Sequence, residues 1–160
     1  MKQKFFMRLV AVASVLLLSA ATASAHDFEV DGIYYNINSD GTSVSVTYKG
    51  WSNDSYDNEY SGAVTIPATV TYSGKTYSVT SIGYNAFYNC SSLESVEIPN
   101  SVTEIGYEAF RGCSGLTSVS IGNSVTSISE RAFWGCSGLT SVEIPNSVTS
   151  IGHSAFSGCI

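Results

Sequence analysis

The chain repeats itself at a fixed interval. The stretch "FRGCSGLTSVSIGNSVTSI" starts at Phe110, and 23 residues later "FWGCSGLTSVEIPNSVTSI" starts at Phe133. The same step of 23 links Ile82, Ile105, Ile128 and Ile151, then Phe87, Phe110, Phe133 and Phe156, then Cys90, Cys113, Cys136 and Cys159. Self-similarity at a period of roughly 20–50 residues means stacked coils. One such coil cannot bury its apolar face alone. Stacked coils share hydrophobic faces and backbone hydrogen bonds, so each must show its neighbour the same apolar side chains while outward positions vary.

Within a unit, "LTSVSI" (Leu116 to Ile121) alternates Val119 and Ile121 about Ser120, the two-residue period of a short strand. Pro99, Gly122 and Pro145 follow these runs and mark a turn. "SERAFWGC" (Ser129 to Cys136) is short and ends in Gly-Cys, which predicts one or two turns of helix. The pattern "LTSVEIPNSVTSIGHSAFSGC" resembles the BspA-like class of bacterial leucine-rich repeats, and the resemblance runs from about Ser81 to Cys159. Gly122 stands where that pattern has Pro, and Ser129 stands where Gly83, Gly106 and Gly152 otherwise occur. Both positions fall at turns. The expected fold is a leucine-rich-repeat solenoid, with a short parallel strand plus a short helix or turn in each 23-residue coil and a β-rich N-terminal cap.

The ends differ from the array. Lys2 and Lys4, the apolar run Leu9 to Leu18 and the small residues Ala23-Ser24-Ala25 read as a signal peptide over 1–25. Residues 26–80 read as the cap merging into a widened first coil. "FEVDGIYYNI" there predicts a hairpin about Asp31-Gly32, and Ile82 follows Ile66 by 16 residues instead of the usual 7. The array, 81–160, stops just before the next strand, which suggests a fragment or a truncated reading frame.

Removing Lys2, Lys4 and Arg8 with the signal leaves 4 basic against 13 acidic residues, a net charge of −9. So acidic a chain, with scattered cations, argues against nucleic acid and anionic membranes. No second apolar run could cross a bilayer after signal cleavage. The four cysteines share one column, where parallel side chains are poorly aimed for bridging and a straight ladder cannot surround a tetrahedral zinc, so they are expected to be buried, core-filling thiols, with bridging of adjacent pairs as the alternative.

Little here suggests catalysis. His26 falls at the mature N-terminus and His153 at a variable position; no nucleophile elbow, metalloprotease helix or phosphate loop is present. The pair Glu94 and Glu97 is expected to keep a strand face soluble. "NDSYDNEY" (Asn53 to Tyr60) gathers Asp54, Asp57 and Glu59 but matches no calcium-loop pattern, and it reads as a solvated loop. No cofactor is expected.

The variable columns are more telling. They place Tyr84, Tyr88, Tyr107, Arg111, Arg131 and Trp134 on the outside of the turn segments, and Tyr, Trp and Arg are enriched at binding hot spots. A second candidate face is the outward strand surface: Ser95, Glu97, Ser118, Ser120, Ser141 and Glu143. The expected function is an exported, non-catalytic interaction module. The family resemblance implies adhesion to host matrix or cell-surface proteins. The alternative is a carbohydrate-recognition or accessory module of a longer secreted enzyme, since aromatic faces can stack on sugars.

Overall fold

A computed structural model describes residues 26–50 and 59–160. The segment 1–25 and most of the acidic stretch Asn53 to Tyr60 lie outside the described residues.

The chain enters through β1 (Phe28–Val30) and β2 (Ile33–Ile37), an antiparallel hairpin turning at Asp31 and Gly32. Both turn residues have positive φ, 51° and 78°, as a type I′ turn requires. β3 (Ser43–Thr47) returns antiparallel to β2. β4 (Gly62–Thr65) then begins the repeat. The widened first coil holds a second hairpin, β5 (Thr69–Tyr72) and β6 (Lys75–Ile82), again with two positive-φ residues, Ser73 and Gly74.

From there each coil contributes to two parallel ladders. β4, β7 (Leu93–Glu97) and β9 (Ser118–Ser120) form a three-stranded sheet. β6, β8 (Glu104–Ile105), β10 (Ser127–Ile128) and β11 (Ser150–Ile151) extend the sheet begun by β1 to β3. Partners in the array are 23 residues apart, as in Val96 with Val119 and Ile105 with Ile128. Alternation of small polar and branched apolar residues therefore aims one set of side chains into a shared core.

The third side of the coil is not helical, and among the described residues no helix forms. From Gly83 to Cys90 backbone donors alternate in direction. Ala86, Tyr88 and Cys90 donate within the coil to Gly83, Asn85 and Phe87 (3.3, 3.1 and 3.2 Å), whereas Asn85, Phe87 and Asn89 donate to Tyr107, Ala109 and Arg111 of the next coil (3.2, 2.7 and 2.7 Å). Half the N–H groups are thus spent on the stack, and Ala86, Tyr88 and Cys90 close turns only three residues back. Left-handed φ at Asn85 and Asn89 (53° and 54°) produces the alternation, and Gly112, Gly135 and Gly158 occupy the second of these addresses in later coils.

The core is a ladder. Phe87, Phe110, Phe133 and Phe156 stack at 4.7, 5.0 and 5.2 Å with nearly parallel rings, and Tyr60 covers Phe87 at 4.4 Å. The thiols are free and occupy that core: Cys113 donates to Phe87 O at 2.9 Å, Cys136 to Phe110 O at 3.1 Å and Cys159 to Phe133 O at 3.4 Å. Hydrogen bonding to Cys136, then burial, pushes the Cys113 thiol well up, and burial does the same at Cys159.

The last coil departs from the expected strand per coil. Residues 139–144 repeat the "LTSVEI" pattern but join no ladder, although β11 is paired. Only one face of this coil is covered by another described coil, so Ile144 and Ile151 are exposed where Ile98, Ile105 and Ile128 are buried. A strand segment held from one side alone pairs less well.

Candidate functional site

The turn segments place the variable columns side by side. Because each coil steps by one interstrand spacing, residues at one address meet their counterparts in adjacent coils. Tyr84 and Tyr107 stack face to face, 5.5 Å apart and 6° from parallel, and Tyr84 is 52% exposed. In the next column the Arg111 guanidinium lies 5.4 Å from the Tyr88 ring centroid and 4.7 Å from that of Trp134. It is held between two aromatic faces, the arrangement in which a cation gains most from ring quadrupoles. Trp134 remains 40% exposed.

Between these columns stands Glu108. It is 5% exposed, takes Nη1 of Arg111 at 2.8 Å and lies 3.5 Å from Nη1 of Arg131. Arg131 also donates to the Tyr107 hydroxyl at 3.0 Å, and that bond holds its guanidinium still more firmly protonated. All six residues singled out on this face therefore fall into one connected surface. Glu108 was missed as a site residue. The signal for it was available: it lies three residues before Arg111 and 23 before Arg131, within reach of both.

The outward strand face is different. Glu97, Ser118, Ser120, Ser141 and Glu143 are exposed and Ser95 is half-buried. Glu97 accepts a bond from Thr65 at 3.3 Å. A shallow recess of about 300 Å³ separates β9 from Ser141, Val142 and Glu143. It offers hydroxyls without a large side chain to anchor a partner.

The titratable residues considered for chemistry are dispersed. His153 is exposed at the last coil, and His26 sits 4.7 Å from the Tyr34 ring at the opposite end. Glu59 spends its carboxylate on the amides of Lys49 and Gly50 (2.7 and 2.9 Å). Among the described residues, no group of three or more His, Cys, Asp or Glu is placed to hold a metal, and no helix is long and apolar enough to cross a membrane.

Residues 52–160 match the family described as BspA type leucine-rich repeat region, in six copies. A leucine-rich repeat protein from Bacteroides ovatus superposes with a TM-score of 0.74 at 38% identity, over 84% of this chain and 33% of that one. A leucine-rich repeat protein from Bacteroides capillosus gives 0.65 at 30% identity, over 79% of this chain and 92% of that one. The leucine-rich repeat protein of T. pallidum gives 0.63 at 25% identity, over 82% and 67%. The chain thus spans about a third of the Bacteroides ovatus protein. No curated protein matches its sequence.

Proposed function

Because the chain belongs to the BspA-type leucine-rich repeat family, whose repeats generally serve protein interaction and are typically non-catalytic, we propose that it is an exported adhesin-like module. Its aromatic–arginine face binds a host matrix protein or a protein of a neighbouring cell. Residues 1–25 direct export and the mature chain is secreted or held at the cell surface. Residues 26–80 form the cap with the widened first coil, and 81–160 form the array.

One observation carries the reading: Arg111 is clamped between Tyr88 and Trp134 and fixed from beneath by buried Glu108. Side chains ordered before a partner arrives lose little freedom on binding, which is how exposed aromatic and arginine groups become hot spots. A second reading, sugar recognition, is favoured by the exposed Trp134 ring and the coplanar Tyr84–Tyr107 pair.

Biolayer interferometry against matrix proteins and a glycan panel separates the two. Saturable binding to a protein ligand should fall about tenfold or more in Trp134→Ala. It should vanish when Tyr84, Tyr88, Tyr107 and Trp134 are all Ala, with circular dichroism unchanged. Binding to glycans alone moves the assignment to carbohydrate recognition. Protein binding that survives all four substitutions removes this face as the site.

A further inference from the structure

The two N-terminal hairpins leave a recess between them, separate from the aromatic–arginine face and sharing no residue with it. Its volume is about 400 Å³, within the size range of small-ligand sites. Val30, Ile33, Pro67 and Val70 supply apolar walls, and Asp31 adds a carboxylate. Phe28 fixes this floor, stacking on Tyr35 at 5.4 Å and on Tyr72 at 4.3 Å.

We propose that this recess binds a lysine side chain presented by a partner protein, with the aliphatic stem against the apolar walls and the ammonium on the Asp31 carboxylate.

Three observations point to a cation on a hydrocarbon stem. First, none of the described hydrogen bonds or ion pairs uses the Asp31 carboxylate, which the left-handed turn leaves exposed at the mouth of the recess. Second, apolar side chains adjoin that carboxylate: Val30 precedes it and pairs with Ile33 across the hairpin, and Pro67 and Val70 line the same recess. Third, three of the mature chain's four cations are engaged away from the recess: Lys75 sits on Gly41 O and over the Tyr77 ring, while Arg111 and Arg131 are engaged at Glu108. An anionic ligand would meet Asp31 on an already acidic molecule. A sugar would find no open ring to stack on, since Tyr35 is the one aromatic residue lining the recess and Phe28 stacks on it.

The test is an amide-resolved NMR titration of the protein with Nα-acetyl-lysine methylamide, its norleucine counterpart lacking the ammonium, and maltose. The lysine derivative should shift the Gly32, Thr69 and Val70 amides saturably, with half-saturation at about 1–10 mM. Norleucine should bind about tenfold more weakly or not at all, and Asp31→Asn should weaken lysine binding about tenfold. Asn-Gly is the preferred type I′ turn, so this variant keeps the hairpin and loses only the charge. Equal binding of lysine and norleucine would overturn the proposal, as would unchanged lysine binding in Asp31→Asn. So would maltose saturating these amides in place of lysine, or no saturable shift with the lysine derivative.

Discussion

A single buried carboxylate organises the exposed face. Glu108 lies in the left-handed region at φ 52°, a conformation that costs a non-glycine residue roughly 1–2 kcal/mol. The contacts with Arg111 and Arg131 offset that cost, one within the coil and one across to the next. Replacing Glu108 by Gln keeps the shape and removes the charge, leaving two guanidiniums around a neutral amide. We expect unfolding free energy to fall by about 1–3 kcal/mol, measured by urea titration. A change below about 0.5 kcal/mol would mean that the arginines are held by the rings alone. The columns themselves were legible from the period of 23, which gives every residue an address. The reach of Glu108 into a neighbouring coil was harder to see, because a glutamate beside Tyr107 ordinarily reads as a solvated charge. Only the identity of the residue 23 positions away turns it inward.

At the scale of elements, the cap is fastened by buried tyrosine hydroxyls. Tyr60 donates to Thr47 O at 2.6 Å and accepts from the Tyr34 amide at 3.1 Å, tying the chain that enters β4 back to β2 and β3. Burial, chiefly, pushes its hydroxyl well above the usual value of 10.0, and Tyr35 rises to about 12. Both groups therefore fold as neutral phenols, and the unfolded chain releases their protons first. Stability they confer is complete below about pH 10 and is lost as pH climbs through the folded values, on the order of 2–3 kcal/mol for Tyr35. The raised Cys113 thiol acts with the same sign from about pH 9, the reference value for its unfolded form being 9.0. Thermal melts should thus stay level near neutrality and drop steeply above pH 10. Tyr60→Phe should cost about 1–3 kcal/mol at pH 7, because the Tyr34 amide loses its partner, and should make the alkaline drop shallower. Equal stability at pH 7 and pH 11 would contradict this account. The first hairpin could be read locally, from Asp31-Gly32 between alternating strands; the second, at Ser73-Gly74, carries a similar turn signal but reads only as part of the widened first coil. The turn segments could not be read locally. A helix was the natural reading of "SERAFWGC", and what displaced it is long-range: half of the segment's amides bond to a coil 23 residues away.

For the whole molecule, stability is a sum over neighbours, so position along the stack decides what a substitution costs. Phe110 is sandwiched between Phe87 and Phe133 and has no exposure, whereas Phe156 stacks on Phe133 and is half-buried. Phe110→Ala should therefore cost about 3–5 kcal/mol and break the array in two, while Phe156→Ala should cost less and leave the preceding coils folded. The same gradient appears without mutation in native hydrogen exchange. Amides of β6, β8 and β10 lie between paired neighbours and should exchange only by global opening. Residues 139–144 join no ladder, β11 has one partner, and Ile151 is 51% exposed, so this coil should open first, with a lower free energy than the rest. The experiment distinguishes a frayed stack from a rigid block. Uniform protection from β6 to β11 would show that the described coils open as one unit, and would predict equal penalties at Phe110 and Phe156. Protection that stays high through β10 and drops at β11 would place the mechanical weak point at the last interface and leave the aromatic–arginine face, which spans the three preceding coils, on the firm part of the solenoid.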